Sequence, residues 1–215
     1  MYEMMPRIVM SLGRRSSTGI NILGTCFLTK NPGCFATASH VTQGNDKDLC
    51  VIIQNQDQLS DYQDASDNQV RCVPAFIDKI DTIHDTAIVR INEGLTSTIE
   101  LVSLDQVKVG TEIEIFGYPH AEHGRKILTK QSADIGAKIL LSAAHAKIKH
   151  CVVNIQTRPG QSGSPIFIKG TKKIVAILVG SYAPGVCGIS LGGIDPQTLH
   201  MTSHAVSAEY LGRML

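Results

Sequence analysis

The chain has 215 residues, 43% of them apolar and 18% charged, with 20 basic and 19 acidic side chains. That balance excludes a disordered chain, and it lacks the basic excess of a nucleic-acid binder. At roughly 150 residues per domain the length corresponds to about 1.4 domains, so one large domain or two small halves with room for a substantial core.

The N-terminal stretch MYEMMPRIVMSLGRR places Glu3 and Pro6 where a signal peptide needs a basic start and an unbroken apolar run. Secretion from Met1 is therefore not expected. No stretch approaches the ~18 apolar residues of a membrane span, so no membrane partner is expected either. Short apolar runs then follow one another at 20–29, 48–53, 70–77, 86–91, 112–117, 148–155, 164–168 and 173–179, rich in Val, Ile and Thr and separated by turn residues. This pattern predicts strands, and their regular spacing predicts a barrel or sandwich. Residues 54–69 carry Asp57, Asp61, Asp64 and Asp67 without EF-hand spacing, which predicts a solvated loop rather than a calcium site. A soft boundary near 92–104 divides the chain into 1–95 and 96–215. The loop 180–198 is rich in Gly and Pro, and its GxSLGG piece opens no helix, so nucleotide binding is not supported. Helical character appears only at the end, where Ser207 is expected to cap AEYLGRML with Glu209 in its first turn.

Six cysteines stand at 26, 34, 50, 72, 151 and 187 with no CxxC pair. Zinc-ribbon and thioredoxin-type readings fail. Reduced thiols in a cytoplasmic compartment are the simplest reading. Cys26 and Cys34 flank a hairpin and could approach, but two free buried thiols are favoured. The histidines at 84, 120, 123, 145, 150 and 200 share no metal-ligand spacing, so no metal or cofactor is expected.

Three segments carry residue types suited to nucleophilic catalysis. In CFATASHV, small residues Ala36, Ala38 and Ser39 leave room around His40, which could work as a general base. In HDTAIVRI, Asp85 leads into an apolar run, where its desolvation needs a partner such as a histidine N–H. In RPGQSGSPIF, Ser162 lies among glycines, whose backbone freedom can turn N–H groups towards a carbonyl oxygen. Gly160 and Ser162 are the natural oxyanion donors. Each segment alone has an ordinary reading as a structural His, a turn Asp or a Gly/Ser turn.

The ordered set is more specific. With His40, Asp85 and Ser162 separated by 45 and 77 residues, the chain resembles the trypsin-like (chymotrypsin-fold) serine proteases. Their TAAH-like, D-x-A and G-x-S-G-x-P segments read here TASH, DTA and GQSGSP. The order His, Asp, Ser differs from that of α/β-hydrolases and subtilisins. VGTEIEIFGYP at 109–119 resembles the segment opening the second barrel of bacterial-type members. Ser203–Val206 with the tail EYLGRML resembles their last strand and C-terminal helix. The resemblance spans roughly 6–215. It implies an all-β fold of two antiparallel six-stranded barrels with a short C-terminal helix, the first barrel carrying His40 and Asp85 and the second Ser162 and the S1 pocket. It implies a serine endopeptidase acting on polypeptides through an acyl-enzyme.

Departures from the secreted pattern sharpen this. Gln161 stands where secreted trypsins have the Asp that pairs with a new N-terminus. Val41 and Arg158 replace two of their disulfide cysteines. The GQSGSP form resembles the glutamyl endopeptidase and DegP-like branches, here without a PDZ module. By the same resemblance the S1 pocket involves Gln156, Thr157, Leu178, Gly180 and His204. Gln156 stands where trypsins have an acid, so a basic P1 preference is not supported, and a neutral or acidic P1 is the expectation. An enzyme held latent until a protein partner activates or recruits it is a further expectation. The alternative is a catalytically silent trypsin-fold binding module.

Overall fold

The core strands bury a face or a continuous apolar run. In β2 (Gly19–Leu28) burial deepens along the strand until all of Gly24–Leu28 is buried; β7 (Thr86–Arg90) is buried over its first four residues. The computed structural model describes residues 2–67, 69–182 and 202–215.

The first half adds β1 (Val9–Ser16), β3 (Cys34–Thr37), β4 (Leu49–Ile53), β5 (Arg71–Pro74) and β6 (Phe76–Asp81) to those two. Their order across one antiparallel sheet is β5-β4-β1-β2-β3-β7-β6. The two edge strands, β5 and β6, are consecutive in the chain and joined through Ala75 alone. The sheet must therefore curl until its edges meet at that residue, which makes a half-barrel around Leu12, Phe35, Val51 and Val89.

The second half comprises β8 (Glu100–Leu101), β9 (Glu112–Gly117), β10 (Thr129–Ala143), β11 (Ala146–Val153), β12 (Pro165–Ile168), β13 (Lys173–Tyr182) and β14 (Thr202–Ser207). Its order is β12-β9-β10-β11-β14-β13-β8, and β12 also pairs with β13. That extra pairing closes six strands into a barrel and leaves β8 annexed in parallel beside β13. The all-β fold of chymotrypsin-like type is therefore present. The expected six-and-six symmetry is replaced by one closed barrel and one curled sheet, because β5 and β6 share a bent segment instead of a ladder.

The strand β10 was not among the apolar runs. Along most of its 15 residues exposed and half-buried positions alternate, so its hydrophobic signal is diluted. The C-terminal element also differs from expectation. The helix α2 covers only Glu209–Gly212, starts from Ala208, and has no side-chain cap. Ser207 Oγ instead accepts the Leu104 N–H at 3.1 Å. Glu209 is drawn to Lys149 Nζ at 3.2 Å.

Cys26 and Cys34 are both buried free thiols belonging to different apolar clusters, so they face apart across the β2–β3 hairpin. Burial pushes the Cys151 thiol up to about 12. The acidic loop's carboxylates bind protein groups: Asp57 takes Arg7 of the N-terminal segment, Asp61 the nearby Gln58 N–H, and Asp64 the nearby Ser66. Among the described residues no group of three acid, His or Cys side chains could hold a metal. Cys187, His200 and most of the 180–198 loop lie outside the described residues.

Candidate active site

The strand β3 ends at Thr37. After extended Ala38 the chain makes a single helical turn, α1 (Ser39–Thr42), which sets His40 on the rim of the first half. Asp85 reaches it from the β6–β7 connection. Asp85 has φ +51, a left-handed conformation that Asp tolerates better than most residues. The turn before it is pinned by Asp81, whose carboxylate accepts the N–H groups of Ile83 and His84 at 3.1 Å and meets His84 Nδ1 at 2.6 Å. The His84 ring stacks on Tyr210 at 3.9 Å between centroids.

Asp85 then closes on the His40 turn with both oxygens. Oδ2 lies 2.7 Å from His40 Nδ1. Oδ1 accepts the His40 backbone N–H at 3.0 Å and the Ser39 hydroxyl at 2.7 Å, while the Asp85 carbonyl accepts the Ser39 N–H at 3.1 Å. Burial pushes the Asp85 pKa up, but the bonds from His40 and Ser39 outweigh it and hold the carboxyl below its ordinary value. An ionised Asp85 fixes the proton on His40 Nδ1 and leaves Nε2 as the basic nitrogen.

The second half contributes the segment 158–164. Arg158-Pro159-Gly160-Gln161 is a type II turn: Gln161 N–H donates to the Arg158 carbonyl at 3.1 Å, Pro159 occupies the second position and Gly160 the third at φ +91. A Cβ on Gly160 would lie 2.5 Å from the Tyr118 carbonyl oxygen, so both conformation and space demand glycine. The Pro159 carbonyl is taken by the His120 N–H at 2.7 Å. Because a peptide is planar, the Gly160 N–H must point the opposite way. The amides of Gln161, Gly163 and Ser164 donate to Arg158, Leu178 and Gln161. Those of Gly160 and Ser162 have no partner among the described residues. That alternation leaves two neighbouring donors for an anionic oxygen.

Thr25 of β2 joins the two halves. Its N–H donates to the Ser162 carbonyl at 2.9 Å, its hydroxyl to the Gly160 carbonyl at 2.9 Å, and its own carbonyl accepts the Thr37 hydroxyl at 2.7 Å. Gly24 beside it has room for no side chain: a Cβ would be 2.8 Å from Val41 and 2.9 Å from the Ser162 carbonyl. The turn carrying His40 and the segment carrying Ser162 thus approach across Gly24.

Gln161 is buried and neutral. Its carbonyl oxygen accepts the Arg158 N–H at 2.7 Å, and its amide nitrogen donates to Gln131 at 2.7 Å. Of the expected S1 residues, Thr157 is buried with its hydroxyl 3.0 Å from that of Ser203. Gly180 pairs with His204 across β13 and β14. The Gln156 carbonyl receives the Gln131 amide at 3.3 Å. The Leu178 side chain is buried, and its backbone supports Gly163 and Ser164. Burial lowers the pKa of His204. The sequence offered no role for Thr25 or Gln131, and it offered Ser39 only as a small neighbour of His40, not as a donor to Asp85.

A family model described as a trypsin-like peptidase domain matches residues 24–177. No curated protein matches the chain by sequence. Among solved structures, the MamO protease domain of Magnetospirillum magneticum in its apo form superposes with a TM-score of 0.69 at 15% identity, covering 100% of this chain and 99% of that one. The Rv3671c protease of M. tuberculosis in its active form superposes with a TM-score of 0.66 at 17% identity, covering 96% of this chain and 78% of that one. A mutant, inactive form of the latter superposes at 0.63, also at 17% identity, covering 97% of this chain and 84% of that one. At such identities the likeness shows the fold.

Proposed function

This chain belongs to the trypsin-like peptidase domain family, and on that premise we propose that it is a serine endopeptidase using His40, Asp85 and Ser162. The observation that carries the reading is the pair of amides at Gly160 and Ser162 that have no partner among the described residues; the segment that bears them meets the turn carrying His40 across Gly24, and His40 is bonded to Asp85.

A serine hydroxyl is a weak nucleophile near neutral pH and needs a base. His40 Nε2 takes the Ser162 proton as Oγ attacks the scissile carbonyl. Asp85 stabilises the imidazolium without being protonated itself. The carbonyl oxygen, now negative, is bound by the Gly160 and Ser162 N–H groups, a contribution of about 3–4 kcal/mol per donor. His40 then hands the proton to the leaving amine, which departs and leaves an acyl group on Ser162. Water, deprotonated by the same His40, releases the acid and restores Ser162.

The GQSGSP motif supports a place nearer the glutamyl endopeptidase and DegP-like branches. The five described cysteines, all free, support a reducing, cytoplasmic compartment. The substrate is a polypeptide with a neutral or acidic P1 residue. An activating partner would show itself as stronger labelling in lysate than of the purified chain.

Fluorophosphonate labelling tests the reading. The wild type is expected to label at Ser162, and Ser162→Ala to lose both label and peptide hydrolysis while keeping its Tm. A wild type that neither labels nor hydrolyses a peptide library, as purified chain and in lysate alike, would favour the silent binding module instead.

A further inference from the structure

Gln161 is 1% exposed, so its amide has to be satisfied inside the protein. One end accepts the Arg158 N–H and the other donates to Gln131 Oε1, both at 2.7 Å. Gln131 on β10 passes the chain on, its Nε2 donating to the Gln156 carbonyl at 3.3 Å. Two glutamines 30 residues apart therefore link the first residue of the type II turn, the residue before Ser162, and Gln156 in the segment that runs from β11 into both. We propose that Gln161 and Gln131 form a neutral latch that holds the oxyanion turn formed, which makes them positioning residues for the reaction. This rests on the serine endopeptidase reading.

The physical case lies in what removal leaves behind. Without Gln161 the Arg158 N–H loses its acceptor. Without Gln131 the Gln161 amide is left buried and unsatisfied, at the full desolvation cost. The turn can relieve either defect by rotating its peptides towards another partner. Such a rotation re-aims the Gly160 N–H. Ser162 is held separately, through its carbonyl on the Thr25 N–H, so the nucleophile stays in place. The loss then falls on stabilisation of the transition state, and substrate binding is spared. Because no member of the latch is ionisable, its hold does not vary with pH.

Three variants test this: Gln131→Leu at a half-buried strand position, Gln161→Met as a near-isostere, and Gln131→Glu, whose carboxylate still accepts the Gln161 amide. Peptide hydrolysis should show kcat reduced about tenfold in Gln131→Leu and about a hundredfold in Gln161→Met, with KM within about twofold. Gln131→Glu should recover part of the Gln131→Leu loss, because it restores the acceptor for the Gln161 amide but not the donor to the Gln156 carbonyl. Hydrogen exchange of the Arg158 amide is measured in parallel. It should lose protection in Gln161→Met and weaken in Gln131→Leu. The latch is overturned if Arg158 protection is unchanged in both variants. It also falls if kcat and KM move together with Tm while Gln131→Glu is no better than Gln131→Leu. If the wild type neither labels nor hydrolyses, the endopeptidase reading fails on that result, and Arg158 exchange alone decides the latch.

Discussion

Replacing Thr25 with Val keeps the side-chain volume and β-branching and deletes one hydroxyl. That hydroxyl donates to the Gly160 carbonyl at 2.9 Å and accepts the Tyr118 N–H at 3.3 Å, at a residue with no exposed surface. The Thr25 N–H and carbonyl, which hold Ser162 and Thr37, are untouched. The variant therefore strands the carbonyl of half-buried Gly160 and the buried Tyr118 N–H in the seam. A stranded buried group costs about 1–3 kcal/mol, and the long Tyr118 bond belongs at the low end, so the total is about 2–4 kcal/mol. For a chain of this size that lowers Tm by roughly 5–15 °C. The loosened turn should also lower kcat about tenfold at nearly constant KM. Calorimetry and peptide hydrolysis read the two effects, with Thr25→Ser as the control that keeps the hydroxyl. A Thr25→Val protein melting within about 1 °C of wild type with kcat within about twofold would refute the role given to this residue.

Other perturbations reach the same site from different sides. Asp85→Asn keeps an acceptor for Ser39 and the His40 N–H but turns an amide donor towards Nδ1, forcing the wrong tautomer; kcat should fall by about four orders of magnitude, and a loss below tenfold in steady-state hydrolysis would contradict it. Gly163 has φ +87, and a Cβ there would lie 2.1 Å from the Thr25 carbonyl oxygen and 2.3 Å from the Thr37 hydroxyl. Gly163→Ala should therefore cost about 3 kcal/mol or more in denaturant unfolding; an unchanged midpoint would show that the seam can open. Burial lowers the folded pKa of His150, partly offset by its Nδ1–H bond to the Ile148 carbonyl. The unfolded state then binds the proton more readily. Stability is fully present above about pH 6.5 and is lost as pH falls through the lower folded value. A Tm series from pH 7.5 to 5 should slope less in His150→Gln, and parallel curves would disprove the coupling.

The parts of the site that were legible in sequence are those whose chemistry is local. The glycines around Ser162 announce a turn because glycine alone adopts positive φ freely, while its type II form, with Pro159 second and Gly160 third, is seen only in the structure. Asp85 before an apolar run announces a carboxylate in need of a partner. Ser207 misled for the same reason: as a cap residue next to a helical stretch it fits a local rule, yet the Leu104 N–H from 103 residues away claims its hydroxyl. The 15-residue strand β10 was hidden because its exposure alternates and its apolar residues are thinly spread.

The amino-acid sequence by itself determined the all-β character, the order of His40, Asp85 and Ser162 and the glycines of the turn at 160–163. Strand propensity, residue chemistry and φ restriction act within a few neighbours, so a linear reading reaches them. Only the tertiary structure decided that Thr25 clamps a carbonyl 135 residues away, that Ser39 shares Asp85 with His40, and that Gln131 completes Gln161. A buried hydrogen bond is made wherever folding brings donor and acceptor together, and its partner's identity is written nowhere in the residues beside it. The near balance of 20 basic and 19 acidic residues fits this outcome: the turn at 158–161 is held by hydroxyls, amides and backbone groups instead of charge.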